Sequence, residues 1–411
     1  MSINIPEAIL DFKGQCVNTI QCNNTTNTIS ISCRRDKRYK FMDPISNKQG
    51  TVNSYVRRII HDIPFLAYRF QIEIELAQVL TKTNLRHIES CEFVAKGCYY
   101  TKRFCRLISG LCRHMTISAV ARHFDLRWET VKNMDKAYLQ ATLPALDPSQ
   151  LVDIKYLGVD EVARAKGHDY MTVVYNLDTG QLIWVHEGRT AEIFSKFLKL
   201  LKDTTKQGIL AVAMDMGPAF QKAVRDDLPN ADIIFDRFHV MQNYGRAIDN
   251  QRRIEFRKAN KPGKDLIKGS RFLLLRNEEN LTDKQKNKLT ILRQENENMN
   301  MIYMLKEQLQ LLWQSKTYED MEASLESWCQ MAEQTGMIYM KKFAKSLRRY
   351  KVGICNYAKH PITTARIEAG NVGIGFIRKR ARGIRDTEYF KLKIRQLSVP
   401  EKSPIFYKTE A

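Results

Sequence analysis

The stretch YLGVDEVARAKGHDYMTVVYNLDTGQLIWVHEG, residues 156–188, decides the fold class of the chain. Its runs YLGVD, DYMTVVYNL and QLIWVHEG are rich in β-branched and aromatic residues, which favour strands. The turn Asp178-Thr179-Gly180 separates the last two runs and predicts a hairpin. We therefore expect three consecutive strands that can pair as an antiparallel meander.

Helices and strands alternate downstream of this stretch. The pattern predicts an amphipathic helix in AEIFSKFLKLLKD, a buried strand in ILAVAMD, a helix in PAFQKAVRDDL and a short strand in ADIIFD. Three antiparallel strands followed by helix, strand, helix and strand is the element order of the ribonuclease H-like fold. This order is suggestive of that fold but, by itself, specifies no function.

The chain is strongly basic, which points to a polyanionic partner. Its 411 residues include 66 Lys and Arg against 45 Asp and Glu, a formal net charge of +21. Nucleic acid is the most common partner of such a chain. No apolar run reaches the roughly 18 residues of a membrane helix, and MSINIPEAILDFKG lacks the features of a secretory signal. We expect a cytoplasmic protein with no membrane partner.

The nine cysteines do not indicate a disulfide framework, because their number is odd and the chain is long. Cys91, Cys98, Cys105 and Cys112 recur every seven residues. On a helix this spacing separates successive members by about 10 Å along the axis, too far to share one metal ion. We interpret them as small apolar residues on one face.

Three acidic residues stand where separate elements are expected to converge. Asp160 closes the first predicted strand, Asp215 closes the buried strand ILAVAMD, and Glu368 lies in TTARIEAGN, predicted to be helical. Carboxylates that meet at one point can hold two Mg²⁺ ions for phosphoryl transfer at a phosphodiester. Alternatives stay open, because an Asp after a strand is commonly a turn former or a helix cap. Glu161 and Asp236 also lie near strand ends and compete for the same roles.

Several separated motifs resemble the ISL-three family of bacterial insertion-sequence transposases. They comprise residues 157–190, MDMGPAFQKAVRDDLPNADIIFDRFHVM, KGSRFLLLRNEENLT and RGIRDTEYFKLKI, with YTKRF and ISAVARHFDLRWETVKNMDKAYLQ upstream. The matching motifs are collinear from about residue 50 to residue 398.

The resemblance implies a DDE transposase that cleaves DNA at the ends of an insertion sequence and transfers the strands. Its catalytic residues and metal ligands would be Asp160, Asp215 and Glu368, holding two Mg²⁺ (or Mn²⁺) ions, with Asp160 as the bridging ligand. Water activated by the metals would attack first, and the liberated 3′-OH would then attack target DNA. Glu161 is not expected to be a ligand, because on a strand it points away from Asp160.

The same resemblance implies the partners. These would be the terminal inverted repeats and the target DNA, bound by a homo-oligomer at the bacterial nucleoid, with no small-molecule substrate.

Pattern and resemblance together predict five segments. These are an N-terminal zinc-finger-like segment at 1–95, a helix-turn-helix region at 96–148, the first part of the core at 149–245, a helical insertion at 246–360, and the completion of the core with a basic tail at 361–411. The predicted fold class is α+β with α/β character: a ribonuclease H-like catalytic core with a helical insertion, preceded by a helix-turn-helix and a degenerate zinc-finger-like segment.

The helix-turn-helix prediction rests on TISAVARHFDLRWETVKNM, residues 116–134, in which Phe124-Asp125-Leu126 would form the turn. A plain helical hairpin is the alternative.

The motif FDRFHV also matches the family, although its Asp236 is equally compatible with a salt-bridged edge of the core. The basic stretch after residue 246 is suited to phosphate contacts, with a solvated bundle face as the alternative. We predict DNA contacts at Arg127, Thr130, Lys132, Arg237, His239, Arg252, Arg253, Lys258, Arg378, Lys379, Arg380, Arg382 and Arg385.

Members of the family carry an N-terminal zinc-binding segment with two cysteine pairs, and here that pattern is broken. CRRD, residues 33–36, keeps one cysteine, and LTKT, residues 80–83, stands roughly where the second pair is expected. Cys16, Cys22 and Cys33 do not have the spacing of a structural zinc site. We predict a segment of similar shape that binds no zinc.

The motif around Glu368 departs from the family's usual Gly-x-x-Glu-Gly followed by Asn-Asn-Lys. Ala365 and Ala369 replace the two glycines, Asn371 is kept, and Val372-Gly373 replaces the later Asn-Lys. The alanines would crowd a close backbone approach, and the missing lysine would remove a phosphate contact. A catalytically decayed or repurposed DNA-binding protein is therefore the alternative function, and a plain structure-selective nuclease is a third.

Overall fold

The computed structural model describes residues 12–40, 52–80, 86–165, 167, 169–362, 365–381 and 383–399. The chain divides into two compact units, one comprising Met1–Leu143 and Val399–Ala411 and the other Pro144–Ser398. Within the described ranges, no helix is long and apolar enough to cross a membrane. Arg382 and residues 81–83 of the LTKT stretch lie outside the described residues.

A five-stranded sheet forms the first part of the N-terminal unit. Its strands are β1 (Gln15–Asn23), β2 (Thr28–Arg35), β3 (Val52–Phe65), β4 (Tyr68–Leu80) and β5 (Arg86–Ile88). The order is β1-β2-β4-β3, with β5 paired to β4, and only the β2–β4 pair is parallel. Alternate residues such as Ile29, Ile31 and Ile72 are buried, because successive side chains of a strand face opposite sides.

The three N-terminal cysteines do not converge on one point. Cys16 and Cys22 stand six residues apart on β1, which separates them by about 20 Å along a strand. Cys33 on β2 is buried opposite Val17, so it faces the side of the sheet that the adjacent Cys16 does not. The absence of zinc stays a prediction that this geometry supports.

Three helices complete the N-terminal unit. They are α1 (Lys102–His114), α2 (Ile117–Phe124) and α3 (Trp128–Thr142). The hydroxyl of Thr116 accepts the Ala119 N–H and begins α2, and Asp125, with a φ of 51°, ends it. The turn predicted after Phe124 is confirmed. Ile108, Val120 and Val131 are fully buried where the three helices meet.

The four cysteines that recur every seven residues do not lie on one helix face. The interpretation that they share a face was therefore wrong for two of the four. Cys105 and Cys112 lie on α1 and are buried, whereas Cys91 and Cys98 lie in the turns before it. Gly97, with a φ of 73°, belongs to those turns and prevents one helix from spanning the whole repeat.

A second five-stranded sheet lies in the C-terminal unit. Its strands are β6 (Tyr156–Ala165), β7 (Asp169–Asn176), β8 (Gln181–Glu187), β9 (Ala211–Met214) and β10 (Asp232–Phe235). The order is β10-β9-β6-β7-β8, in which β6, β7 and β8 are antiparallel and β9 and β10 run parallel to β6. Gly180, with a φ of 79°, lies in the predicted hairpin turn between β7 and β8.

Helices cover both faces of this sheet. Three of them join β8 to β10, namely α4 (Ala191–Leu200), α5 (Asp203–Gly208) and α6 (Pro218–Asp227). Phe194 of α4 and Phe220 of α6 are buried against Val159 and Val174 on one face. The predicted succession of strands and helices through residue 236 is therefore present, with α5 as an additional short helix.

The chain is helical from Arg237 to Lys359, apart from short connections and 3-10 turns. The helices are α7 (Arg237–Lys258), α8 (Lys261–Ile267), α9 (Arg271–Leu275), α10 (Asp283–Glu295), α11 (Glu297–Leu311), α12 (Tyr318–Gln334), α13 (Ile338–Arg349) and α14 (Lys351–Lys359). α7 runs without a break past residue 246, where the sequence predicts the start of a helical insertion, so no break in the helix marks that boundary.

Two last helices return to the sheet. They are α15 (Ala365–Ala381) and α16 (Thr387–Leu397). Ile367 of α15 and Phe390 of α16 are buried with Val162 and Val173 on the face opposite α4 and α6. These two helices therefore pack on the sheet that carries Asp160.

Candidate active site

Asp160 and Asp215 lie at matching positions of two neighbouring parallel strands. Gly158 of β6 is paired with Ala213 of β9, and each aspartate follows two residues later. Adjacent strands are about 4.8 Å apart, and residues two apart share a face, so the two carboxylates lie close together on one face of the sheet, where the charge of Asp215 acts on Asp160. The prediction that Asp160 ends its strand was wrong, because β6 stays paired with β7 as far as Ala165. The structure thus brings together the two aspartates that the sequence singled out.

The Asp160 carboxylate is largely buried, and its surroundings act on its pKa in opposite directions. Burial raises the pKa, and the negative charge of Asp215 adds to that effect. The Glu161 N–H donates to Oδ1 at 2.7 Å and Asn371 Nδ2 donates to Oδ2 at 2.6 Å, and both lower it, as does His239. The net shift is upward, as expected for a carboxylate held out of water.

A tight turn holds Asp215 at the end of β9. Its Oδ1 accepts the Gly217 N–H at 2.9 Å. Gln221 Nε2 donates to the carbonyls of Met216 and Gly217, at 3.3 and 3.0 Å, and ties the turn to α6. A Cβ at position 217 would lie only 2.8 Å from Asp215 Oδ1, so glycine permits this compact arrangement.

Glu368 lies in the first turn of α15, but its charged neighbours are not the two aspartates. Burial raises its pKa, the charge of Asp236 raises it further, and His239 lowers it. A cavity of about 330 Å³ opens beside it, lined also by Asp236, Arg237 and Phe238. Within the described ranges, no three His, Cys, Asp or Glu side chains lie close enough together to hold one metal ion. The three predicted ligands therefore form a pair and a separate third residue.

His239 lies between these two groups. Its charge acts on the pKa of both Asp160 and Glu368. Its Nε2 is 4.0 Å from Asp236 Oδ2. Asp236 is buried and caps α7 by accepting the Phe238 N–H at 2.9 Å, which agrees with the structural alternative for this residue. The FDRFHV motif thus positions a histidine between Asp160 and Glu368.

Glu161 faces the other side of β6 from Asp160, as the strand period predicts. Its carboxylate is 3.6 Å from Arg189, whose guanidinium lies 4.2 Å from the centre of the Tyr170 ring. Burial and the charge of Asp215 raise the pKa of Glu161, and Arg189 opposes them. Glu161 therefore belongs to an ion pair on the opposite face.

Two glycines allow α15 to approach the sheet closely. A Cβ on Gly158 would lie 2.4 Å from Ile367 Cδ1, and a Cβ on Gly370 would lie 2.4 Å from Tyr175 Oη. This close packing places Asn371 against Asp160. Sequence reasoning missed the Asn371–Asp160 contact, although a spacing of three from Glu368 puts both residues on one side of the helix.

The two alanines that replace family glycines lie on the exposed part of α15. Ala365 and Ala369 are both exposed, and the close backbone approach occurs at Gly370 instead. Val372, where the family has a polar residue, is also exposed. Ala365 also lines the cavity beside Glu368, so the crowding of a close backbone approach by these alanines stays a prediction.

The predicted DNA contacts differ in how available their side chains are. Arg252 is paired with Asp249 at 2.8 Å and only 15% exposed, and Arg378 Nη1 donates to the Ala163 carbonyl at 2.7 Å. Arg253 also pairs with Asp249 but is 60% exposed. The exposed members are Arg127, Arg237, Lys258, Lys379 and Arg385, and the half-buried ones are Thr130, Lys132, His239 and Arg380.

Two families of known sequences match this chain. A family model described as "Transposase", of the DDE type in ISL3 elements, matches residues 157–394. A second, described as "Helix-turn-helix domain of transposase family ISL3", matches residues 89–139, which include α1, α2 and all but the last three residues of α3. The match identifies these helices as a helix-turn-helix region rather than a plain hairpin.

Two curated relatives are similar over most of their length. The transposase for insertion sequence element IS1001 of Bordetella parapertussis is 33% identical over 372 residues, which cover 90% of this chain and 91% of the relative. The transposase for insertion sequence element IS1557 of Mycobacterium tuberculosis is 24% identical over 340 residues, which cover 77% and 76%.

Proposed function

The chain belongs to the ISL3 family of insertion-sequence transposases, and from this premise we propose that it cleaves and joins DNA as a DDE transposase. Its catalytic carboxylates are Asp160, Asp215 and Glu368. The observation that carries the proposal is the placement of Asp160, within β6, and Asp215, directly after β9, each two residues beyond the paired Gly158 and Ala213 of these adjacent parallel strands. Carboxylates in that position are suited to hold divalent cations at a phosphodiester.

The strand order supports a ribonuclease H-like core for this site. Three antiparallel strands followed by two that run parallel to the first match the element order expected for that fold. The helices from α7 to α14 separate β10 from the helix that carries Glu368, which supports a helical insertion before the last carboxylate. The segment boundaries near residues 95, 148, 245 and 360, and a zinc-finger-like segment without zinc, belong to the same proposal.

The donors present fit a hard divalent cation. Asp160 and Asp215 supply two carboxylates, and Mg²⁺ or Mn²⁺ usually takes only one or two and keeps several waters. Two bound ions would polarise the phosphodiester and favour an attacking hydroxide over water. Glu368 belongs to the same site in this proposal, although its nearest charges in the DNA-free chain are Asp236 and His239. Binding of DNA would bring an anionic phosphate to these carboxylates, near Arg237 and His239.

The DNA partners follow from the family and from the distribution of cations. We propose that the helix-turn-helix binds the terminal inverted repeats, with Arg127, Thr130 and Lys132 toward the groove. Contacts near the catalytic carboxylates would come from Arg237 and His239. The remaining contacts proposed are Arg253, Lys258, Lys379, Arg380, Arg382 and Arg385, with smaller contributions from Arg252 and Arg378. A homo-oligomer that joins two ends would act on chromosomal DNA, at the nucleoid in the bacterial cytoplasm.

A cleavage and joining assay on the element's own ends tests the proposal. Labelled terminal repeats and a target duplex are incubated with the full chain and Mg²⁺ or Mn²⁺, and nicked and joined products are resolved. We expect both products, and we expect neither with Asp160→Asn, Asp215→Asn or Glu368→Gln. Nicked ends without joined products would favour a nuclease instead.

One observation favours a second function, a decayed or repurposed DNA-binding protein. Glu368 lies with Asp236 and His239, and the lysine expected near it is replaced by the Val372-Gly373 stretch. In that case the chain still binds the terminal repeats, but it gives neither nicked nor joined DNA with Mg²⁺ or Mn²⁺. Product formation that depends on Glu368 excludes this function.

A further inference from the structure

Asn371 is the residue of α15 that contacts Asp160. Its Nδ2 donates to Asp160 Oδ2 at 2.6 Å. It follows Glu368 by three residues, so the two side chains lie on the same side of the helix, one turn apart. The helix that carries the last carboxylate therefore reaches the first aspartate through an amide.

The other end of the same amide has no partner within the described part of the chain. Asn371 Oδ1 is buried from solvent and accepts no hydrogen bond. Buried side-chain oxygens are almost always satisfied by a donor, a water or an ion. Because the nitrogen and oxygen of an amide are about 2.2 Å apart, Oδ1 lies within about 5 Å of the Asp160 carboxylate.

The surroundings favour a cation as the missing partner. Asn371 contacts the Asp160 carboxylate, and the negative charge of Asp215 acts on that same carboxylate. Two carboxylates and an amide oxygen are hard oxygen donors, the type that Mg²⁺ and Mn²⁺ bind. A neutral third donor also avoids adding another negative charge beside two that already repel.

We propose that Asn371 is a metal ligand, whose Oδ1 binds the divalent cation held by Asp160 and Asp215. The hydrogen bond from Nδ2 to Asp160 fixes the amide so that Oδ1 is directed to the cation. Glu368, beside Asp236 and His239, is then left for the second cation. The assignment rests on the proposed function, because that function supplies the cation.

Binding of Mn²⁺ to the DNA-free full chain tests this role without any activity measurement. Free Mn²⁺ is counted by electron paramagnetic resonance for the wild type, Asn371→Ala and Asn371→Asp. We expect Asn371→Ala to weaken binding about ten-fold, because one of three protein ligands is lost. Asn371→Asp keeps an oxygen donor and should retain at least the wild-type affinity. Asn371→Ala with wild-type affinity would overturn the assignment.

Val372→Ala is the matched control, because Val372 is the next residue of α15 and its side chain is 58% exposed. It should bind Mn²⁺ like the wild type. If Asn371→Ala does not fold, Asn371→Ser replaces it, since its shorter hydroxyl cannot reach the same position. A second readout uses asparagine labelled with ¹³C at the side-chain carbonyl. A coupling between Mn²⁺ and this carbon in the wild type supports the assignment, and no coupling contradicts it.

Asp160→Asn separates this inference from the proposed function. If the wild type binds Mn²⁺ and Asp160→Asn does not, the metal site is present. Wild-type Mn²⁺ affinity of Asn371→Ala would then reject only the role of Asn371. If the wild type and Asp160→Asn both fail to bind Mn²⁺ in the presence and absence of terminal-repeat DNA, the proposed function itself fails.

Discussion

The side-chain nitrogen of Asn371 lies 2.6 Å from the Asp160 carboxylate, although 211 residues separate the two in the chain. This contact closes the site. β6 supplies the aspartate, and α15 returns after the long helical insertion to cover it.

Asp160→Asn should abolish strand cleavage while leaving DNA affinity unchanged. In the proposed function the largely buried Asp160 carboxylate binds the cation rather than DNA, so we expect the cleavage rate to fall by on the order of 10³-fold. Rates and terminal-repeat affinities are measured on the same preparations. Asp203→Asn is the control, because the Asp203 side chain is 91% exposed, and this variant should cleave DNA at the wild-type rate. Equal cleavage by both variants would reject the assignment of Asp160.

Gly370→Ala should destabilise the C-terminal unit, because its Cβ would lie 2.4 Å from Tyr175 Oη. We expect the free energy of unfolding to fall by about 1–3 kcal/mol in urea titrations, as for other overpacked contacts. The same variant should bind Mn²⁺ less tightly, since α15 moves away from Asp160.

Gly375→Ala serves as the control on the same helix, because open space surrounds that position. It should raise stability by up to about 1 kcal/mol through helix propensity. If both alanine variants had the same effect, the close approach of α15 to Tyr175 would not be the cause.

Arg348→Ala should weaken the packing of α13 on α12. Its guanidinium on α13 donates to the carboxylates of both Glu326 and Glu333 on α12, at 2.5 to 3.2 Å. We expect a loss of about 1–3 kcal/mol in the free energy of unfolding. Lysine should not restore it, because one ammonium cannot pair with two carboxylates in this geometry. Lys345→Ala, exposed on the same helix, should change stability little. Full rescue by Arg348→Lys would contradict this role.

Cys98 should react with iodoacetamide near neutral pH. A hydrogen bond from the Cys105 thiol is the largest factor that lowers the pKa of Cys98, to about 7. Its thiolate therefore appears as pH rises through 7, and labelling should be half-maximal there. Burial raises the pKa of Cys91 to about 12, so Cys91 should stay unlabelled at pH 8. Labelling is followed residue by residue by peptide mass spectrometry. In Cys105→Ser the midpoint should move upward, and an unchanged midpoint would contradict the pairing.

Arg127→Ala should weaken binding to terminal-repeat DNA and make it less dependent on salt. Arg127 is exposed and directly precedes α3 of the helix-turn-helix. Loss of one phosphate contact lowers the slope of log K against log salt by about 1. Lys37→Ala, an exposed cation in the turn after β2, should leave the slope unchanged. Equal slopes for the two variants would remove Arg127 from the DNA interface.

Local patterns explain why much of the fold is predictable from the sequence. The strands from β6 to β8 and their hairpin follow from β-rich runs and from Gly180, all within about thirty residues. Asp160 and Asp215 were identifiable because each lies in or directly after a recognisable strand, but the prediction that Asp160 ends its strand was wrong, since β6 continues to Ala165 through its pairing with β7. The cysteine repeat was misread, since a fixed spacing says nothing about whether one helix spans it. Gly97 shows that it does not.

The sequence by itself determined the order of strands and helices, the helix-turn-helix, and the two aspartates, because each depends on residues close together in the chain. Only the tertiary structure decided that Asn371 contacts Asp160, that Gly370 rather than position 369 meets the sheet, and that Glu368 lies beside Asp236. Such contacts depend on how α15 docks on β6 and β7 after more than a hundred residues of helical insertion. Docking is set by side-chain packing between distant segments, which no local period encodes.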